Sequence, residues 1–200
     1  MVSDLDEDIY WWNLFCCGEK KAMGFFYSKY YNLLYNYGLR FLNDPLQIQD
    51  IIQDLFYKLC KGVHIKDVSN PKIYLLKSLR HLIYDYCVKH QEVMSIEDME
   101  FQLPEEDRIF QSFFGADDDE VKKWKSVLAA IQELPNQQKQ ILYLFYIKGL
   151  SHKEIAVLLD INPQSSMNSI SKSLKRLRSF LQLNKSFYWM LIFGRALIEF

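Results

Sequence analysis

Glycine and proline are scarce in this chain, with seven and five residues in 200. That is too few breakers for the closely spaced turns of a β-sandwich or barrel, and the runs between them repeat at helical spacing, so the chain is expected to be all-α. A long apolar run is also missing. Spanning a bilayer takes about 18 consecutive apolar residues, and the longest candidate, FYWMLIF near the C-terminus, has seven; no stable membrane insertion is predicted. The opening residues, MVSDLDEDIY, carry acids instead of a basic segment followed by an apolar core, so they do not form a signal peptide and a cytoplasmic location is expected. The four cysteines, Cys16, Cys17, Cys60 and Cys87, form neither a CxxC pair nor a Cys/His zinc pattern. Buried free thiols in a reducing cytoplasm are expected, with oxidation sensing at the adjacent Cys16 and Cys17 as the alternative. No nucleophile–base or metal-ligand spacing stands out, so no catalytic residue, metal or cofactor is expected.

An excess of one charge is lacking too, since the formal net charge is −1. Its distribution is uneven. Residues 92–120 hold eleven acids against Arg108, whereas residues 121–181 hold ten Lys and Arg against three acids, a net of +7. A neutral total therefore covers a basic C-terminal part and an acidic connector.

The most informative stretch runs from Leu134 to Leu181 and reads as three helices. Leu134-Pro135 starts the first, which uses Ile141, Leu142, Phe145 and Ile147 as apolar contacts and ends at Lys148-Gly149. Ser151 to Glu154 is a capping-box signature for the second, which buries Ile155, Leu158 and Leu159. A turn at Asp160-Ile161 leads to Asn162 as N-cap and Pro163 inside the third helix. There Met167, Ile170, Leu174, Leu177 and Leu181 form one apolar stripe. Ser165, Asn168, Ser169, Lys172 and Arg176 lie opposite, on a face with no acid. This is a helix-turn-helix whose small polar residues can reach base edges and whose cations can reach phosphates. A three-helix packing unit with a solvated basic face fits the same periodicity.

Upstream, residues 7–17 form a short helix with Trp11, Trp12, Leu14 and Phe15 as core, stopped by Gly18. Residues 20–42 form a long one with Phe26, Tyr30, Leu33, Leu34, Tyr37 and Phe41 buried; their helical spacing favours packing over base stacking. Asn43-Asp44-Pro45 opens a helix over residues 45–61. Its apolar set is Ile48, Ile51, Ile52, Leu55, Phe56 and Leu59, with Asp50, Gln53 and Asp54 together on the other side. A loop over residues 62–70 precedes a helix over residues 71–90, from which Lys77, Arg80, His81 and Tyr84 project, its apolar surface being Tyr74, Leu75, Leu79, Leu82, Ile83 and Tyr86. Residues 121–132 make one more helix, with Trp124, Val127, Leu128 and Ile131 inward.

Two of these stretches carry a resemblance. Leu134-Pro135, Gly149-Leu150-Ser151, Glu154-Ile155-Ala156, Leu159, Ile161, Ile170, Lys172, Leu174 and Leu177-Arg178 sit in the register of region 4 of bacterial sigma factors, in the extracytoplasmic-function (ECF) group. DIIQDLFYKL, from Asp50, resembles their region 2 helix. The resemblance covers about residues 9–90 and 121–181. It implies two small helical domains: region 2 over 1–90, an acidic linker over 91–120, region 4 over 121–181, then an apolar tail over 182–200. It implies a sigma factor that binds core RNA polymerase, through the clamp helices of the largest subunit and the flap, and directs promoter-specific initiation, with an anti-sigma factor as a further partner. Asp50, Gln53 and Asp54 would bind polymerase. His64, Lys66, Lys77, Arg80, His81 and Tyr84 would meet the minus-ten element. Lys153, Gln164, Ser165, Met167, Asn168, Ser169, Lys172 and Arg176 would meet the minus-thirty-five element. The chain departs from the family at His81, usually asparagine, at Ser166, usually valine, and at Met167, often lysine. The rival readings are a helix-turn-helix regulator and a helical interaction protein, neither acting through core polymerase.

Overall fold

The computed structural model describes residues 4–61, 68–90, 95–97, 99–103 and 129–181, with residues 180 and 181 described by backbone only. All regular structure among them is helical. The chain divides into two compact units, Met1–Met99 and Glu100–Phe200. Outside the described residues fall His64 and Lys66, residues 104–120 of the acidic stretch, Trp124, Val127 and Leu128, and the apolar tail.

The first unit contains four helices: α1 (Asp4–Cys16), α2 (Lys20–Gly38), α3 (Pro45–Lys61) and α4 (Pro71–His90). α1 begins a turn earlier than its apolar residues suggest, because Asp4, Asp6 and Glu7 suit the positive end of a helix dipole. It ends where Gly18 takes a left-handed φ of 87°. Trp12 is its core residue, packed edge-on against Phe26 and Tyr74. Trp11, Leu14 and Phe15, expected in the core, are half-buried, with Trp11 stacked on Phe25 at 4.9 Å. Of the four thiols expected to be buried, Cys87 is, Cys16 is half-buried, and Cys17 and Cys60 are exposed at helix ends.

α2 stops at Gly38, short of residue 42, and buries Phe26, Tyr30, Leu34 and Tyr37, while Leu33 and Phe41 are half-buried. At Gly38 α2 packs tightly on α3: a Cβ there would stand 2.9 Å from Cγ2 of Ile48. Asp44 caps α3 by accepting from the amides of Leu46 and Gln47 at 3.0 and 3.1 Å. All six apolar residues assigned to α3 are buried, each contributing about 1.5–3 kcal/mol through burial.

One core feature is polar. Asp8 is 3% exposed, accepts a hydrogen bond from the Tyr30 hydroxyl and pairs with Lys29 Nζ at 2.9 Å. Lys29 also reaches Asp4 at 3.3 Å and Glu7 at 3.4 Å, tying α1 to α2. Burial, then the bond to Asp8, pushes the Tyr30 hydroxyl far above the ordinary phenol range. Burial opposes the charge on Lys29, but its bonds to Asp8 and Asp4 outweigh that and raise its pKa.

The second unit contains residues 129–132, the end of a helix, followed by α5 (Asn136–Leu142), a π-turn (Tyr143–Ile147), α6 (His152–Leu159) and α7 (Pro163–Leu181). Pro135 is the N-cap of α5, one residue ahead of the expected helical position. Phe101 and Leu103, counted in the linker stretch, are buried in this unit. Phe101 meets the Tyr143 ring edge-on at 5.5 Å, and Leu103 accepts from the Gln132 side chain at 3.4 Å.

The π-turn changes the expected packing. Its wider winding turns Tyr143 and Leu144 into the core beside Ile141 and Leu142, leaving Phe145 and Ile147 half-buried. It closes where Leu150 N–H donates to Leu144 O at 3.0 Å across Gly149, whose φ of 65° suits glycine.

Candidate nucleic-acid interface

α6 is set by a complete capping box. Ser151 Oγ accepts from the Glu154 amide at 3.3 Å, and the Glu154 carboxylate accepts from the Ser151 amide at 2.8 Å. Ile155, Leu158 and Leu159 are buried as expected. The turn is tight because Asp160 adopts φ 57°, a left-handed conformation that aspartate tolerates better than most residues. Asn162 then caps α7, accepting from the Gln164 amide at 2.8 Å.

On α7 the polar face is as expected: Ser165, Asn168, Lys172 and Arg176 are exposed and Ser169 is half-buried. Lys153 on α6 is exposed as well, and Gln164 Nε2 donates to Asn168 Oδ1 at 3.2 Å, joining two of the candidate base-contacting side chains. Met167 requires correction. Expected on the apolar stripe, it is 46% exposed, and the buried stripe instead runs through Ser166, Ile170, Ser173, Leu174 and Leu177. Counting toward the N-terminus from Ile170, three residues lead to Met167 and four to Ser166, so periodicity alone allows either and hydrophobicity favours the wrong one. Both buried serines have partners: Ser166 Oγ lies 3.0 Å from His152 Nδ1, and Ser173 Oγ donates to Gln138 Oε1 at 3.2 Å.

In the first unit, Asp50, Gln53 and Asp54 are all exposed on the outer face of α3. They lie between two exposed apolar side chains, Leu46 and Tyr57. Lys77 and His81 of α4 come together with Lys58, Tyr74 and Ser78 around a pocket of about 370 Å³ between α3 and α4. Tyr84 is half-buried and outside that lining.

Arg80 is the second correction. Expected to project from α4, it is 3% exposed, and its Nε and Nη1 have no hydrogen-bond partner among the described residues. It sits on the buried side of α4, with Ile73, Leu76, Ile83 and Cys87 at helical spacing. Asp8 is the buried ionisable group that sequence reading missed. Its one signal is its position a turn before Trp12, on the same face of α1.

Comparison with known proteins decides the family. The family described as Sigma-70 region 2 matches residues 26–93, and that described as Sigma-70, region 4 matches residues 124–177, in that order. The chain belongs to the sigma-70 family. Among curated relatives, the chain is similar to the ECF RNA polymerase sigma factor SigM of Bacillus subtilis (strain 168). The two are 24% identical over 153 residues, which is 76% of this chain and 91% of the relative. It is also similar to the ECF RNA polymerase sigma factor SigX of the same organism, at 22% over 162 residues, 78% of this chain and 82% of that one. This sigma factor is therefore of the ECF group and directs promoter-specific transcription initiation, binding core RNA polymerase and promoter DNA. The rival readings without polymerase are not favoured, because region 2 is present together with region 4. Among the described residues, no helix is long and apolar enough to cross a membrane and no cluster of metal-ligating side chains occurs.

Proposed function

We propose that this sigma factor divides its work among three faces. The outer face of α3 docks on the clamp helices of the largest polymerase subunit through Asp50, Gln53 and Asp54. Two exposed carboxylates beside an amide suit arginines on a partner helix, where charge-assisted hydrogen bonds are strongest. The pocket rimmed by Lys58, Lys77 and His81 faces the minus-ten strand, with Tyr84 beside it; His64 and Lys66, outside the described residues, are assigned to the same strand. Cations around an opening wide enough for a base suit a strand whose bases must leave the stack. The outer face of α7, with Gln164, Ser165, Met167, Asn168, Ser169, Lys172 and Arg176, and Lys153 of α6, reads the minus-thirty-five element, with region 4 resting on the flap. The acidic residues over 104–120, past the segment that packs Phe101 and Leu103 into the second unit, suit a polymerase channel shaped for phosphates. The protein works in the cytoplasm, is held by an anti-sigma factor, and leaves RNA synthesis to the polymerase.

The observation that carries this reading is a pairing within one chain. An acid–amide face is exposed on a helix whose other side is wholly core, and an acid-free polar face is exposed on the second helix of a helix-turn-helix. The deciding experiment is transcription in vitro with core polymerase on a promoter library, using wild type and the Asp50→Lys, Asp54→Lys double variant. Start-site-specific transcripts with the first and none with the second are expected. Equal transcription by both removes α3 from the polymerase contact.

A further inference from the structure

Three elements of the second unit meet at one polar contact. Ser166, in the first turns of α7, is 0% exposed. Its Oγ shares a hydrogen bond of 3.0 Å with Nδ1 of His152, the first residue of α6, and the imidazole tautomer fixes which of them donates. The His152 ring is stacked on Phe145 of the π-turn, with centroids 4.6 Å apart and planes 22° from parallel. Ile155, Leu158 and Leu159 of α6 and Ile170 and Leu174 of α7 are buried in the same unit and are aliphatic. Aliphatic contacts tolerate a slide between helices; a hydrogen bond is directional and does not. The stack holds the imidazole plane, so Nδ1 points in one direction. Ser166 stands directly between the exposed residues Ser165 and Met167 and two residues before Asn168.

We propose that the His152–Ser166 bond is a positioning joint that sets the angle of α7 against α6, so that the bases preferred by the outer face of α7 depend on it. The inference rests on the reading that α7 contacts promoter DNA. A purely apolar residue at position 166 would fill the same space without the bond. The joint therefore makes the seating of this recognition helix depend on a residue of the preceding helix that itself faces inward.

The test is enrichment of a randomised DNA duplex library by the full-length chain at low salt, with thermal stability measured in parallel. The variants are Ser166→Val, His152→Leu, the double replacement, and Ser166→Thr, which keeps the hydroxyl. Both single variants should change the enriched sequence, with relative preference at the affected positions shifting by about tenfold, the scale of one base contact. Ser166→Thr should keep the wild-type preference. The double variant, with no polar group left unpaired, should regain stability but not the wild-type preference. If a single variant does not fold, the double variant carries the comparison, and wild-type preference there overturns the joint. Unchanged preferences in the single variants, whatever their stability, also overturn it and leave a packing role. A wild-type chain that enriches no sequence overturns the reading of α7 itself, and this inference with it.

Discussion

Asp8, Tyr30 and Lys29 show how much can hang on a few atoms. The folded state holds the protons of Tyr30 and Lys29 more tightly than the unfolded chain does, since both are raised from ordinary values of 10.0 and 10.5. A raised folded value adds stability that is complete below the unfolded value and is lost as pH climbs above it. The first unit should therefore keep its stability up to about pH 10 and lose it progressively beyond. Denaturant midpoints across that range should show the fall in wild type, and Tyr30→Phe should flatten it. Asp8→Ala leaves the Tyr30 hydroxyl unpaired and should cost about 1–3 kcal/mol at neutral pH. Arg80 calls for the opposite expectation. Its guanidinium is buried with two nitrogens unbonded among the described residues, so Arg80→Met, of similar length and uncharged, should leave thermal stability unchanged or raised. If that variant opens a promoter as wild type does, judged by permanganate footprints, Arg80 belongs to the core and not to the minus-ten contact.

At the scale of elements, the close approach of α2 and α3 makes one sharp expectation. Gly38→Ala drives a methyl against the side chain of wholly buried Ile48, which must shift within the core, and should cost about 1–3 kcal/mol, measurable by chemical denaturation. On α7 two kinds of residue should separate. Asn168→Ala should alter base preference, at about 1–3 kcal/mol for a good contact, while Arg176→Ala should weaken all sequences alike and reduce the salt slope by about one. Much of this architecture is legible in the sequence. α3 and α4 fall on the expected residues because each opens with proline behind a capping side chain, and α3 also carries a strongly periodic sequence. The capping box and the turn at Asp160 are likewise written in local residue chemistry. The features that escape the sequence have a common cause: Met167, Arg80, Asp8 and the serines of α7 are placed by tertiary packing, which sets the exact rotation of a helix and can bury a polar group beside a partner far along the chain. The π-turn is hidden for a related reason, since no residue type announces it and its effect is only to rotate the residues after it.

For the molecule as a whole, each unit has its own core and a separate exposed face. The two activities should therefore be separable by mutation. Asp50→Lys with Asp54→Lys should abolish association with core polymerase while leaving the affinity of the chain for duplex DNA unchanged; pull-down with core enzyme and binding titrations on the same preparation check both. Duplex affinity should fall steeply with added salt, because the net +7 of residues 121–181 is the part of the chain suited to phosphates.

The π-turn over Tyr143–Ile147 also bears on how this sequence tolerates changes of length. Such a turn is what a helix forms when it absorbs one extra residue without breaking. Removing one residue there would restore ordinary α winding, whereas the same deletion within α6 or α7 would rotate every later side chain by roughly 100°. Related chains one residue shorter over this stretch can thus keep the same helix-turn-helix, and an alignment should place its gap here, ahead of the recognition elements and not within them.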